Sequence, residues 1–459
     1  MPALENLGHA LEERLAFRAL TRRMLDRLFP THWSFLLGEV TLFSFVGLVA
    51  SGVYLALFYR PATAPVVWHG RYAPLAGQTL PDAFASVVEL STSVRFGLVA
   101  RRFHHFAAHF FVGSLLLHAA RVYFTGAFRR PRELTWLIGL TMLALALVNG
   151  FTGYSLPFDM RAGTAMRMMV TTMESIPWMG AWLATLVIGA PFPGGSLLSR
   201  LYIAHVFIGP ALITVLIGVH VALIVRVTHT NYPARGSSNQ LEVGGRLWPY
   251  QTAHTTTLAF LVFGALAFLS AFFPVEAAQV YGPFQSLSSY EPLSPDWFLM
   301  WIEGAYRLFP GWADFRFAGA HFTNPFYGAI LLPVLVLGCC ALYPWIDRRV
   351  YGGPTQDEHI LQRWTDRPFR TAFGAGGLSF LVLLSCAAIN DRMASAWSLD
   401  IWQVNLIWSV ITLVVPCLVW AAFLIALRRS NRVRGFTGPL PQGGVLRRTA
   451  RGFRAERRA

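Results

Sequence analysis

The sequence predicts an all-α polytopic membrane protein with eight transmembrane helices, on three observations. Of its 459 residues, 54% are hydrophobic and the mean hydropathy is +0.47, which points away from a soluble globular chain. Eight separate apolar runs each approach the roughly 20 residues needed to cross a hydrocarbon core. Only 13% of residues are charged, yet the formal net charge is +15, and the arginines that carry it collect between the runs. No lysine occurs, so every basic residue is an arginine. Charge placed between apolar runs is a topology signal, whereas a nucleic-acid binder lays its charge along a face.

The runs lie at about 33–59, 103–124, 134–156, 201–227, 253–274, 325–345, 371–390 and 401–427. An even count puts both termini on one side, and arginine selects the cytoplasmic one. The N-terminal segment holds Arg14, Arg18, Arg22, Arg23 and Arg27. Loop 2–3 holds Arg121, Arg129, Arg130 and Arg132, and loop 6–7 holds Arg348, Arg349, Arg363, Arg367 and Arg370. The outward connections carry Asp82 and Glu89, then Glu276, Glu291, Asp296, Glu303 and Asp314, then Asp391 and Asp400, although Arg95, Arg101 and Arg102 share the first. Two of them, about 157–200 and 275–324, are too long for turns and are expected to fold back on the membrane surface and carry function.

Residues 1–30 contain no secretory hydrophobic region. Phe17, Leu20, Met24 and Leu28 form one helical stripe among arginines, the pattern of an amphipathic helix on the cytoplasmic membrane surface or against a partner. Residues 428–459, with arginine, Gly-Pro and Pro-Gln, are expected to form a basic, disordered cytoplasmic tail. Cys339, Cys340, Cys386 and Cys417 all lie in apolar stretches and read as packing residues, and no CxxCH occurs to anchor a c-type haem.

Run 2 contains "RRFHHFAAHFFVGSLLLHAAR", residues 101–121, with His104, His105, His109 and His118. At about 100° per residue, His104 and His118 fall within about 40° of each other, while His105 and His109 lie about 140° and 180° from His118. His104 and His118 therefore share a face, and His105 and His109 are expected to face elsewhere as structural residues. Their fourteen-residue offset separates the pair by about 21 Å, too far for one metal but right for two stacked sites. Run 4 offers partners in "HVFIGPALITVLIGVH", where His205 and His220 are fifteen apart. That offset overshoots whole turns by about 60°, and a kink at Pro210 is expected to absorb it. Paired imidazoles on separate helices are axial ligands for haem iron. Gly38 and Gly52 in run 1 and Gly139 and Gly153 in run 3 repeat the fourteen-residue offset, as helices flanking a flat group require. Residues 31–250 are thus expected to form a dihaem four-helix bundle and residues 251–427 a second four-span domain.

With "FPTHWSFLLGE" (29–39), "FTGAFRRPRE" (124–133) and "GYSLP" (153–157), the chain resembles cytochrome b of the quinol:cytochrome c oxidoreductases, the bc complexes, in its actinobacterial form. The resemblance spans about 30–427. It implies two b-type haems, an outer low-potential one on His104 and His205 and an inner high-potential one on His118 and His220. It implies that Arg101, Arg121 and Arg200 pair with haem propionates, a match of guanidinium to carboxylate, and that Trp136 lies near the inner haem.

The connection after run 5 reads "PDWFLMWIEGAYRLFP", residues 295–310. In the family this place holds a Pro-Glu-Trp-Tyr or Pro-Asp-Trp-Tyr motif lining the outer quinol pocket, and Phe298 stands here where the family has tyrosine. Quinol oxidation releases two protons, so a carboxylate acceptor is needed. Asp296 is the candidate, with Glu303 seven residues on as acceptor or onward relay. Pro295, Trp297, Tyr154 and Pro157 are expected to line the pocket. On the cytoplasmic side His229, Arg226 and Glu242 could serve quinone reduction, and the sequence does not choose among them.

The resemblance implies a respiratory subunit in the bacterial plasma membrane, both termini cytoplasmic. It would oxidise menaquinol outside, pass one electron to a Rieske iron–sulfur subunit and the other through the haems to an inner quinone site, and so translocate protons. A c-type cytochrome subunit, a homodimer, a supercomplex with a cytochrome c oxidase and membrane lipid are the implied partners, and no nucleic acid. The rival readings are a dihaem cytochrome b anchoring another respiratory oxidoreductase, which the Pro-Asp-Trp segment and the last four runs disfavour, and a secondary transporter, which predicts no haem.

Overall fold

A computed structural model describes residues 25–189, 192–233, 238–275, 277–288, 295–353, 356–430, 444–449 and 452–456. Phe17, Leu20 and Met24 of the expected helical stripe lie outside the described residues, and Leu28, its last member, stands in the short strand Leu28–Phe29 instead of a helix. Eight helices are long and apolar enough to cross a membrane: Trp33–Ala56, Gly97–Thr125, Glu133–Ser155, Leu197–Val227, Leu247–Phe272, Phe326–Tyr351, Pro368–Ala387 and Ile401–Ser430, here spans 1 to 8. Spans 2 and 5 start six residues earlier than hydropathy places them. Arg101 and Arg102 continue span 2 into polar sequence that a hydropathy window excludes, and Leu247–Gln251 joins span 5 across a kink at Trp248, whose backbone is extended.

Span 1 packs along span 2 and span 3 along span 4, while span 5 lies against spans 1 and 2. Glycine sets these approaches. A Cβ on Gly47 would stand 3.1 Å from the Phe103 ring and 3.4 Å from Phe263, where spans 1, 2 and 5 meet. The core between the two halves is aromatic, with Phe45, Phe111, Phe128, Trp136, Phe298 and Tyr343 buried in one cluster. The helix Met300–Leu308 packs against span 7, so that a Cβ on Gly304 would overlap the Leu384 carbonyl.

Span 4 contains the expected irregularity in another form. Its turn at Ala204–Ile208 is a π turn, in which the Gly209 N–H reaches the Ala204 carbonyl five residues back. Pro210 follows immediately and has no N–H to give. The wider turn takes up one residue, so the fifteen-residue offset behaves as the fourteen of span 2.

The described residues of the two long connections include helices and a hairpin. Met160–Glu174 is capped by Asp159, which accepts from the Ala162 N–H at 2.8 Å, and Gly180–Ile188 follows. Phe315–Phe317 and Ala320–Phe322 pair as a hairpin. At the opposite end of the spans, arginines tie loops together. Arg129 bonds Glu358 at 2.8 Å, and the buried Arg132 donates to the carbonyls of Glu358 at 2.8 Å and Thr228 at 3.0 Å. Arg370, fully buried, holds Asp347 with two bonds of 2.8 and 2.7 Å and joins span 7 to span 6.

The tail corrects one expectation. Gly444–Thr449 and Gly452–Glu456 are antiparallel strands, and the first pairs with Leu241–Arg246, which in turn pairs with Leu28–Phe29. The order expected to be missing there is supplied by a template: an unpaired strand edge in loop 4–5 satisfies the tail's backbone.

Removing one partner of a buried ion pair strands the other. Arg370→Leu is expected to destabilise the protein by about 3–5 kcal/mol, seen as a lowered thermal midpoint in detergent, and Arg370→Leu with Asp347→Leu should recover most of it.

Candidate functional site

Four imidazoles from spans 2 and 4 face four glycines from spans 1 and 3, in two levels. At one level the His104 ring stands 3.2 Å from the Cβ position of Gly52, and the His205 ring overlaps that of Gly153. At the other, His118 is 3.3 Å from the Cβ position of Gly38 and His220 is 3.7 Å from that of Gly139.

The ring centroids of His104 and His205 are 6.1 Å apart. Two imidazoles sharing one metal at about 2 Å per bond have centroids about 6 Å apart. Hydrogen bonds fix their tautomers. His205 Nδ1 donates to the Asn149 carbonyl at 2.9 Å. Ser51 Oγ donates to the Gly47 carbonyl at 2.7 Å, so it accepts from His104 Nδ1 at 3.0 Å. Both protons then sit on Nδ1, and both Nε2 atoms keep a lone pair.

At the second level Nδ1 of His118 and of His220 is buried without a hydrogen-bond partner, as are Nε and Nη2 of Arg121. Buried polar atoms in that state are uncommon and mark a place for a ligand or water. Arg121 lies over the Phe35 ring at 3.9 Å. Trp136 is buried and donates to the Cys340 carbonyl at 2.8 Å, joining span 3 to span 6.

A second polar group gathers where Pro295–Trp297 meets spans 2 and 3. Arg161 donates Nε to the Tyr154 hydroxyl at 2.6 Å and Nη1 to the Tyr281 hydroxyl at 3.3 Å, while Nη2 is 3.9 Å from Asp296 Oδ1. Burial raises the Asp296 pKa above the ordinary carboxylate value, against the pull of His109 and Arg161. Trp297 Nε1 donates to His109 Nδ1 at 2.9 Å. Glu303 belongs to a different group: Arg307 bonds it at 2.7 Å and also reaches Asn390 at 2.8 Å and Asp391 at 3.2 Å. Burial raises the Glu303 pKa as well. Pro295 and Pro157 are both half-buried, Pro157 in the turn between span 3 and Met160–Glu174.

A family model described as Cytochrome b(N-terminal)/b6/petB matches residues 109–283. The cytochrome bc1 complex cytochrome b subunit of Corynebacterium efficiens is 36% identical over 432 residues, covering 94% of this chain and 79% of that protein. That of Streptomyces coelicolor is 35% identical over 454 residues, 98% of this chain and 83% of that protein. The chain belongs to the cytochrome b subunits of bc1 complexes. A solved chain of a hyperthermophilic respiratory Complex III shares the fold at TM-score 0.65 and 20% identity, over 91% of this chain and 97% of that one. The protein is thus an integral membrane protein and a component of a quinol:cytochrome c oxidoreductase.

Family membership implies b-type haem, and the residues fit it: glycine cradles with facing imidazoles at both levels, and at the inner one buried Arg121 nitrogens in need of an anionic partner. Arg101 is half-buried and donates to Ser91 Oγ at 3.3 Å. Arg200 departs from its expected place. It is exposed and caps the helix Gly180–Ile188, donating to the carbonyls of Leu186 at 2.6 Å and Val187 at 3.1 Å. The Nε of Arg102 is buried without a partner.

At the opposite end of the bundle, His229 packs on Phe29 at 4.6 Å, and burial with Arg132, Arg27 and Arg121 nearby lowers its pKa to about 4. Arg226 is exposed, and the Glu242 side chain lies outside the described residues. Sequence reasoning missed Glu39 there: Gln251 Nε2 donates to its Oε1 at 2.8 Å, and its Oε2 is buried without a partner. A carboxylate inside a span is itself a signal. Arg161, in a connection, carried none, and His105 and His109 were set aside by angle alone.

Gly153→Val would fill the space taken by the His205 ring. It is expected to remove one b-haem signal from the redox difference spectrum while the other persists, and two intact signals would contradict the cradle.

Proposed function

We propose that this subunit oxidises menaquinol in the pocket around Asp296 on the outer face of the bacterial plasma membrane and serves quinone reduction on the cytoplasmic face, where both termini lie. The observation that carries this reading is the placement of Asp296, Arg161 and Tyr154 together at the end of the bundle that His104 and His205 occupy. His104 with His205 would hold the outer, low-potential haem, and His118 with His220 the inner, high-potential one. Bound there, the two haems supply one-electron carriers between the faces.

Asp296 accepts a proton from the quinol hydroxyl, which requires the carboxylate form. Arg161 holds that carboxylate and the Tyr154 hydroxyl in one place. Pro295 and Trp297 border the pocket on one side, and Tyr154 and Pro157 on the other. Glu303, bonded to Arg307, is the onward acceptor toward the outer surface. Arg101 and Arg121 would pair with haem propionates. A Rieske iron–sulfur subunit takes one electron from each quinol, and a c-type cytochrome subunit, a second copy of this chain and a cytochrome c oxidase complete the assembly. Protons released outside and taken up inside build the gradient.

The test of the cofactor reading is a haem count with redox titration of the purified complex. Two b-type haems of distinct potential are expected, and none would end the reading.

Asp296→Asn should keep both haems and slow menaquinol oxidation by about a hundredfold, the lower range for a positioned proton acceptor. Because burial raises the Asp296 pKa while His109 and Arg161 oppose the rise, the wild-type rate should climb with pH as the carboxylate ionises. The Asn variant should lose that limb. An unchanged rate would transfer the acceptor role to Glu303.

A further inference from the structure

We propose that His109 is a positioning residue for quinol oxidation, latching the Pro295–Trp297 segment to span 2 through the Trp297 indole, with His105 as a second imidazole behind it. The inference rests on the outer-pocket reading above and assigns a part to two histidines that angular reasoning had left idle.

The chain of bonds has one polarity. An indole N–H can only donate, so His109 Nδ1, 2.9 Å from Trp297 Nε1, must accept. The His109 ring then carries its proton on Nε2 and donates it to His105 Nε2 at 2.8 Å. The two rings are one helical turn apart, with centroids 4.4 Å from each other and planes at 84°. Each nitrogen in the chain from Trp297 to His105 Nε2 is thereby used, which a polar side chain in an apolar span requires.

The latch acts on a segment whose packing anchor lies on its C-terminal side, at the buried Phe298 and Leu299. Phe298 is buried, and its ring would stand 2.8 Å from a Cβ on Gly150, so it is fixed between spans 2 and 3. Trp297 is 44% exposed: its Cζ2 would stand 3.9 Å from a Cβ on Gly113 of span 2, and the bond to His109 fixes the direction of the indole. Asp296 is the next residue back, with its carboxylate 3.9 Å from Arg161. Fixing Trp297 and Phe298 together leaves that carboxylate little freedom. A leucine at position 109 would pack on Phe298, whose centroid is 6.3 Å from that of His109, as well as the imidazole does. The hydrogen bond is what a leucine could not supply.

The experiment compares His109→Leu, His109→Gln, Trp297→Phe and the Leu–Phe double variant in the purified complex, with menadiol as donor and a c-type cytochrome as acceptor. All four should keep both b-haem signals. His109→Leu and Trp297→Phe should each raise KM about five- to tenfold with a smaller fall in kcat, as expected for one lost positioning bond. The double variant should be no worse than the worse single one, and His109→Gln, whose amide oxygen can accept from the indole, should restore KM. Three results would overturn the latch: an unchanged KM in His109→Leu, single effects that multiply in the double variant, or loss of a haem from His109→Leu. Failure of glutamine to restore KM would count against it equally. A wild-type complex that does not oxidise menadiol would instead sink the outer-pocket reading, and the latch with it.

Discussion

An imidazole can reach the middle of a four-helix bundle only where the facing helix offers no side chain, and this subunit meets that condition four times. Gly38, Gly52, Gly139 and Gly153 each lie under a histidine ring, and a Cβ at Gly153 would collide with one. Much follows from that constraint. It fixes the register of span 1 on span 2 and of span 3 on span 4, because a slip of one residue would put a side chain under the ring. It also keeps helices close, where packing rather than water exclusion provides the attraction in a membrane. The serine, threonine and asparagine that accompany these glycines then orient the rings, as Ser51 does for His104 and Asn149 for His205.

The two ends of the bundle are built on different principles. At the end where spans 2 and 3 are joined, buried arginines bond carbonyls and carboxylates of segments that hydropathy leaves unrelated: Arg132 to loop 6–7 and the end of span 4, Arg370 to Asp347. These ties brace the spans with charge-assisted bonds, and their strength comes from exclusion of water. At the other end the polar side chains converge on one place, and the hydrogen bonds run from different segments toward Asp296 and Trp297. A braced end and a convergent end divide the labour of the molecule, one holding the spans and the other presenting chemistry.

Much of this was legible in the residues. Eight apolar runs became eight helices, and the shared spacing of histidines and glycines gave the two levels because helical geometry repeats with fixed angle and rise. Asp296 and Tyr154 were found as candidates, but Arg161, which joins them, sits in a connection whose path no periodicity reports. Arg200 illustrates the same limit: its distance from His205 is read from the sequence, but not that its guanidinium bonds the end of the neighbouring helix Gly180–Ile188. His105 and His109 show the limit of angular reasoning most clearly. The angle correctly turned them away from His118, yet it could not say that the Pro-Asp-Trp segment, some 190 residues later in the chain, fills the side they turn to. The tail strands were hidden because their order comes from an edge in loop 4–5 and not from their own composition.

The π turn at Ala204–Ile208 has a consequence for how such a bundle can change. Span 4 contains one residue more between its histidines than span 2 does, and the surplus is confined to a single widened turn beside Pro210. Each half of the span keeps its own phase against span 3, so an insertion or deletion at that turn is absorbed locally instead of rotating one imidazole away from its glycine. The turn works as an expansion joint: it lets one helix carry a residue more than its neighbour while both of its histidines still face their glycines.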